Sequence, residues 1–370
     1  MTLLIFLIVL VVLILVHEFG HFIVAKLSGI RVDEFGIGFP PKLFGKKYGE
    51  TEYTVNALPI GGFVKIYGED PTEEQYAGAD SERSFVRKPR YIQAAVLVAG
   101  VVMNIVLAFV LYSTTYMLGM PTAVAEGEVR PYMDTPELYV TSVLPDSPAA
   151  TTLQTGDQIV SIARDNSVLT GEDALSPRAV SNFIAQSDAQ TVTLDIVRHG
   201  KPLEVTVTPQ AGVVPESPER AAAGFTLSLV GMERLPFLQA LVAGAQNTYQ
   251  TLVHITVGLG TLAAQVVHGT ADLTHVAGPV GIVTMVGDAA ALGLSWLLTF
   301  TAFISLNLAV INLLPIPALD GGRLVFVIIE GITRRTIKPV IARTVNQVGF
   351  VALLLLMVLV TAHDVLRLFS

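Results

Sequence analysis

The 370-residue chain contains no cysteine and few charged side chains. The absence of cysteine excludes disulfide bonds and any metal site built on thiolate ligands. Only 15% of the residues are charged, against 52% hydrophobic, and the basic residues form no cluster of the kind that binds nucleic acid. With a net charge of −8 and a mean hydropathy of +0.60, this composition is typical of a membrane protein and argues against a nucleic-acid partner.

The N-terminus also lacks the features of a cleaved signal peptide. It has no basic region and no small-residue cleavage site, and the apolar run that begins at Thr2 continues to about Ser28. We therefore expect this segment to be retained as a transmembrane helix.

Long apolar runs predict a polytopic α-helical membrane protein with about four transmembrane helices. The predicted spans are residues 2–28, 92–118, 292–314 and 348–362. A fifth segment, residues 236–267, has no acidic or basic side chain but carries glutamines and His254 on one helix face. That stripe favours an amphipathic helix at the membrane interface or packed on the bundle.

Lys and Arg are concentrated in residues 31–90 and in the segment after residue 320. Because basic loops stay in the cytoplasm, both termini are predicted to lie outside. The long segment between the second and third spans would then also lie outside, although its charge carries little weight in a loop of this length.

That long segment contains a predicted soluble domain at residues 126–210. Its strand-like pieces are residues 138–143, 158–162, 191–197 and 203–208, with a helix near 176–185. The stretches VLPDSPAA, LQTGDQIVSI and VTLDIVRHGKPLEVTV resemble a bacterial PDZ domain, although Thr152-Leu153 replaces the usual Gly-Leu. Such domains bind peptide ends by strand addition. The alternative is a small β-rich spacer with no ligand.

The predicted organisation therefore has a PDZ-like domain inserted between two membrane regions. The predicted boundaries are 1–120 for the N-terminal membrane region, 126–210 for the PDZ-like domain, 211–291 for a linker with the amphipathic helix, and 292–370 for the C-terminal membrane region.

The sequence His17-Glu18-Phe19-Gly20-His21 ends the apolar part of the first span. In this HExxH pattern two imidazoles four residues apart share a helix face and bind zinc, while the Glu beside them can act as general base. Histidines paired without a metal are a weak alternative, because ionisable groups in lipid are costly and usually functional.

Two histidines do not complete a catalytic zinc site, so a third protein ligand is required. Asp320 is the best candidate, because Pro315 and Pro317 break the preceding span and two glycines follow it. A helix-capping role for Asp320 is the alternative. His17 lies about 24 Å along the first helix, near the cytoplasmic side, and a span running in the same direction brings Asp320 to that level. A membrane crossing by 236–267 would put Asp320 on the wrong side.

Together, HEFGH, NLLPIPALDGG, Gly278-Pro-Val-Gly-Ile282 and the intervening PDZ-like domain resemble the site-2 protease family, in its bacterial regulator-of-sigma-E protease branch. Some members of that branch carry two PDZ domains, whereas residues 126–210 have room for one. The resemblance implies an intramembrane zinc metalloprotease of the bacterial inner membrane. It would cut single-span proteins such as anti-sigma factors or remnant signal peptides.

The resemblance also implies roles for individual residues. Zn²⁺ would be held by His17, His21 and Asp320, with Glu18 as the catalytic base. Asn312 and Asn307 would position the substrate. Residues 51–67 would form a membrane-associated β-hairpin, in which residues 52–66 could accept an extended substrate as an added strand. The PDZ-like domain could exclude proteins with intact ectodomains and bind a trimmed stub or a peptide C-terminus.

Two other functions fit part of the pattern. A metal-stabilised membrane scaffold would recruit partners without hydrolysis, but a structural zinc site needs no base at Glu18. A zinc hydrolase acting on lipid-linked or small amide substrates would leave the PDZ-like domain and the hairpin unexplained.

Overall fold

The computed structural model describes residues 1–69, 80–128, 130–144, 146–165, 167–171, 175–187, 190–213, 219–270 and 278–369. The chain divides into two compact units, which are described separately. One unit comprises Met1–Tyr112, Gly244–Gly287 and Phe300–Ser370, and the other comprises Ser113–Ala243 and Asp288–Thr299. The predicted linker at 211–291 contains undescribed residues.

The described helices include one at each predicted apolar run, and the C-terminal helix is longer than the predicted 348–362. They are α1 (Thr2–Leu27), α2 (Arg90–Leu118), α3 (Pro177–Ala185), α4 (Phe237–His268), α5 (Pro279–Leu292), α6 (Leu294–Leu313), α7 (Asp320–Thr333) and α8 (Pro339–Phe369). Among the described residues, five helices are long and apolar enough to cross a membrane: α1, α2, α4, α6 and Val340–Ala362 within α8.

Helix α4 is the candidate span beyond the four predicted ones, and the sequence predicts that it lies at the membrane interface or packs on the bundle. It is the least apolar of the five, because polar glutamines, threonines and His254 interrupt its apolar residues. Length and composition therefore allow α4 to span a membrane, whereas its polar stripe favours the interface.

Two long strands, β1 (Val32–Tyr48) and β2 (Thr51–Ile66), follow α1 and bend so that they form a sheet of four segments. The segments lie side by side in the order 42–48, 51–56, 32–37 and 62–66. Residues 62–66 are antiparallel to 32–37, with Val32 opposite Ile66. On the other side of 32–37, Phe35 lies opposite Tyr53 and Ile37 opposite Val55, so these segments run in the same direction.

The prediction of a hairpin within residues 51–67 was wrong in its pairing. The two halves of β2 do not pair with each other but lie on either side of residues 32–37. The sequence Pro59-Ile-Gly-Gly62 makes a wide bend instead of a tight turn, and this lets the chain pass over the central segment. As a result the described part of the sheet has two outer segments, 42–48 and 62–66.

A hydrophobic cluster fixes this sheet to the C-terminal end of α1, the N-terminal part of α2 and the middle of α7. Its fully or nearly fully buried members are Ala25, Ile30, Val32, Ile66, Phe85, Val96, Leu97 and Val327. On the polar side, Glu50 accepts hydrogen bonds from Lys26 (2.6 Å) and Arg83 (2.8 Å), and the bond from Lys26 lowers the pKa of its carboxyl group. These contacts hold the sheet beside the C-terminal part of α1.

The second unit contains a seven-stranded sheet with the order β3-β9-β4-β5-β7-β8, and β6 pairs with β5. Its strands are β3 (Met120–Val124), β4 (Glu137–Val143), β5 (Gln158–Arg164), β6 (Ser167–Thr170), β7 (Val192–Arg198), β8 (Lys201–Val207) and β9 (Phe225–Glu233). The predicted strands correspond to β4, β5, β7 and β8, and the predicted helix to α3. Ser176 caps α3 by accepting a hydrogen bond from the backbone N–H of Ala179.

The sheet includes one strand on each side of the predicted 126–210, β3 before it and β9 after it. β9 falls in the segment predicted as a linker, yet it lies between β3 and β4. Its alternating Phe225, Leu227 and Leu229 pack against the core of the unit. That alternation is a strand signal with a period of two, which the sequence prediction missed.

A buried ion pair closes the Gly156-Asp157 turn of this unit. The Asp157 carboxylate is 1% exposed and accepts hydrogen bonds of 2.7 Å from both Nε and Nη2 of Arg198. This pairing raises the pKa of the Arg198 guanidinium. The Asp157 carboxylate also accepts a hydrogen bond from the backbone N–H of Gln154, so both of its oxygens are paired and the turn before β5 is fixed.

Candidate metal centre

The two histidines of α1 face the inside of the first unit. His17 and His21 are 8% and 6% exposed, and their Nε2 atoms are 3.1 Å apart. They are one helical turn apart, so their side chains leave the same face of the helix. Helix α1 runs without a break from Thr2 through both histidines to Leu27.

Asp320 reaches the same point from the opposite end of the sequence. Helix α6 ends at Leu313, before Pro315 and Pro317, and α7 begins at Asp320 itself. A Cβ atom on Gly321 or Gly322 would overlap carbonyl oxygens of Leu314 or Ile316, so only glycine permits this tight turn. Asp320 Oδ2 then lies 3.0 Å from His17 Nε2 and 3.2 Å from His21 Nε2.

The three converging atoms suit a tetrahedral metal ion. Their separations of 3.0, 3.1 and 3.2 Å are close to the distance of about 3.3 Å between ligands bound to zinc at about 2.0–2.1 Å. Two imidazole nitrogens and one carboxylate oxygen are also a donor set that catalytic zinc uses. Among the described residues, His17, His21 and Asp320 form a group that could hold a metal ion.

Helix α2 supports both imidazoles from behind. His21 Nδ1 lies 2.8 Å from the backbone oxygen of Val96, to which it donates its proton, so Nε2 keeps its lone pair for a metal. A Cβ atom on Gly100 would lie 2.5 Å from His21 Nε2 and 2.8 Å from His17 Nε2. Because Gly100 has no side chain, the two Nε2 atoms can occupy this space.

Glu18 lies next to these ligands and is held by the sheet. The backbone N–H of Val64, in the outer segment 62–66, donates a hydrogen bond of 3.1 Å to Glu18 Oε2. A cavity of about 250 Å³ opens beside the group. Its lining includes the polar residues His17, Glu18, Asn104, Asn312 and Asp320.

The two asparagines predicted to position the substrate differ in their location relative to the cavity. Asn312 lines the cavity with Glu18 and Asp320. Asn307 is outside the described lining of this cavity, and its carboxamide donates to the backbone oxygen of Phe303 on the same helix, at 2.9 Å.

The sequence predictions missed Gly100, Asn104 and Val64. An amide in the apolar sequence of α2 was an available signal for Asn104.

Comparison with known proteins shows which family the chain belongs to. The model of peptidase family M50 matches residues 5–356. A candidate zinc metalloprotease of Clostridium perfringens is 40% identical over 356 residues, which cover 96% of this chain and 95% of that protein. The regulator of sigma-W protease RasP of Bacillus subtilis is 31% identical over 445 residues, covering 100% and 99% of the two chains.

Among solved structures, the PDZ domain of an SdrC-like protein from Listeria monocytogenes is 24% identical, with a TM-score of 0.21. It covers 27% of this chain and 92% of its own. On the evidence of the family match and the full-length relatives, the chain belongs to peptidase family M50, the site-2 protease family.

Proposed function

We propose that this protein is an intramembrane zinc metalloendopeptidase that hydrolyses peptide bonds within or near the transmembrane segments of single-span membrane proteins. The observation that carries the proposal is the convergence of His17, His21 and Asp320 beside Glu18. This group is built on α1, a helix long and apolar enough to cross a membrane. A scaffold or a structural metal site would not require a carboxylate next to the ligands.

His17, His21 and Asp320 would hold Zn²⁺, which would act as a Lewis acid and lower the pKa of the attacking water. Glu18 accepts the proton of the attacking water and later delivers it to the amide nitrogen of the leaving peptide. The hydrogen bond from Val64 keeps the Glu18 carboxylate at this position. Asn312, in the cavity wall, positions the substrate through its carboxamide. Asn307 stays a proposed substrate-positioning residue, and its carboxamide donates to the backbone oxygen of Phe303.

A transmembrane helix hides its backbone amides, so the substrate must be extended before hydrolysis. The outer segment 62–66 is the place where an extended substrate joins the sheet as an added strand. The outward N–H of Val64 contacts Glu18, so a strand added along this segment would run past the base. The other outer segment, 42–48, is separated from 62–66 by two strands.

The absence of cysteine makes this prediction testable by disulfide cross-linking. Single-cysteine variants Lys65→Cys and Lys46→Cys each place a thiol on one outer segment. Both are made in an inactive Glu18→Gln background, so that the substrate stays uncut. The substrate carries a cysteine near its scissile bond, and we expect Lys65→Cys to cross-link to it several-fold more than Lys46→Cys. Equal yields from the two positions would contradict strand addition along 62–66.

The β-rich unit is proposed to act outside the membrane as a PDZ-like filter. A groove of about 510 Å³ lies between α3, through Val180 and Ile184, and the start of β9. Within the part of the chain that the structure describes, β3 pairs with β9 from Leu229 onward, so residues 225–228 leave that side of β9 available for a short peptide strand. The groove is therefore proposed to hold a peptide C-terminus or the stub of a trimmed ectodomain.

These features favour trimmed single-span proteins as substrates, such as anti-sigma factors or remnant signal peptides. The name of the Bacillus subtilis relative, regulator of sigma-W protease, supports the first of these classes. Both termini and the β-rich unit are proposed to lie outside the cytoplasmic membrane, as the positions of Lys and Arg indicate.

The experiment that tests this function uses purified protein and one single-span substrate in two forms, with a folded ectodomain and with a short stub. We expect cleavage of the stub form in its transmembrane segment, loss of cleavage with a chelator, and recovery with Zn²⁺. The intact form should be cut at least about ten times more slowly. Cleavage that survives complete metal removal would contradict the proposed chemistry, and equal rates for the two forms would contradict the filter.

A further inference from the structure

A second polar group of α2, the Asn104 carboxamide, contacts His17. Asn104 is fully buried, at 0% exposure, and its Nδ2 lies 3.3 Å from His17 Nδ1. The carboxamide oxygen Oδ1 has no hydrogen-bond partner in the described structure. A buried amide that leaves one atom unpaired costs free energy, so packing alone does not account for an asparagine at this position.

The chemistry of a histidine ligand supplies the reason. An imidazole that binds metal through Nε2 carries its proton on Nδ1, and that proton needs an acceptor. His21 has such an acceptor in the backbone oxygen of Val96. For His17, the group at Nδ1 is the carboxamide of Asn104. A rotation of 180° exchanges its Oδ1 and Nδ2 and presents an acceptor to His17.

We propose that Asn104 is the positioning residue for His17, with Oδ1 accepting the Nδ1 proton so that Nε2 points its lone pair at the metal. The inference rests on the metal-binding role proposed above. Unlike the fixed carbonyl oxygen of Val96, a carboxamide serves either imidazole tautomer. With Nδ2 toward His17, Nδ1 accepts a hydrogen bond and Nε2 donates to Asp320, at 3.0 Å. With Oδ1 toward His17, Nε2 is free to ligate.

The test compares metal affinity and the cobalt spectrum of Asn104 variants. Asn104→Leu removes the acceptor at similar size, and Asn104→Ala removes it without adding bulk. Zinc affinity, measured by competition with a chelator, is expected to fall about 10–100-fold in both variants. Asn104→Asp keeps an acceptor oxygen and is expected to restore zinc affinity to within about threefold of wild type. The visible absorption of bound Co²⁺ should shift in Asn104→Leu and return toward wild type in Asn104→Asp.

Asn56→Leu is the matched control, because Asn56 is also buried and donates to the backbone oxygen of Gly38, within the sheet of β1 and β2. Its zinc affinity should equal that of wild type, which separates loss of the acceptor from loss of a buried amide. Wild-type affinity and an unchanged cobalt spectrum in Asn104→Leu or Asn104→Ala would overturn the inference. Equal loss in Asn104→Asp and Asn104→Leu would also overturn it. A wild-type protein that binds neither Zn²⁺ nor Co²⁺ would overturn the proposed function itself.

Discussion

Replacing Glu18 with glutamine is expected to abolish peptide-bond cleavage while the protein keeps its zinc. The amide oxygen of glutamine can still accept the hydrogen bond that Val64 donates to Glu18, so the local structure should be preserved. A neutral amide does not take a proton from water, and loss of a general base lowers the rate by about 10²–10⁴-fold. Cleavage rate and zinc content should be measured on the same purified samples.

The control for this substitution is Glu128→Gln in the second unit. Glu128 pairs with Arg130 at a partly exposed position and is outside the described lining of the cavity. Its removal should change the cleavage rate by less than about twofold, since such ion pairs contribute little. Undiminished cleavage by Glu18→Gln would show that the base lies elsewhere.

The second large effect is expected from Gly100→Ala, a change of one methyl group. The added Cβ would lie 2.5 Å from His21 Nε2 and 2.7 Å from His17 Cε1, too close for van der Waals contact. The imidazoles would have to move by about 0.9 Å to reach an ordinary separation, more than the roughly 0.5 Å that a metal site tolerates. We expect cleavage to fall about 100-fold or more, together with a loss of zinc.

Gly331→Ala provides the matched comparison for Gly100→Ala. Gly331 lies in α7, and the nearest atom to its added Cβ is 4.0 Å away. Since alanine has a higher helix propensity than glycine, this variant should keep its zinc, its activity and its thermal stability. If Gly100→Ala also kept full zinc and activity, the histidines could not be the metal ligands in the observed geometry.

The sequence was sufficient to predict the parts of the site that local patterns encode. The spacing of His17 and His21 follows from the helical repeat, and the prolines and glycines around Asp320 identify a broken helix with a carboxylate at its end. Strands β4, β5, β7 and β8 were also predicted, because each combines β-branched residues with a flanking turn.

The features that were missed depend on contacts between distant segments. Asn104 and His17 are separated by 87 residues, and nothing near Gly100 in the sequence shows that two imidazoles lie against its backbone. Tertiary contacts likewise determine the passage of β2 across residues 32–37 and the position of β9 within its sheet. Local strand propensity does not determine the order of strands in a sheet.

The measurement that tests the central claim most directly is zinc X-ray absorption on the purified full-length protein and on His21→Ala. We expect about one bound zinc per wild-type chain, with imidazole nitrogen and oxygen ligands at about 2.0–2.1 Å. Sulfur ligation is excluded by the absence of cysteine. His21→Ala should lose the metal or one imidazole from its coordination shell. A wild-type protein without zinc, or a zinc spectrum unchanged by His21→Ala, would contradict the account.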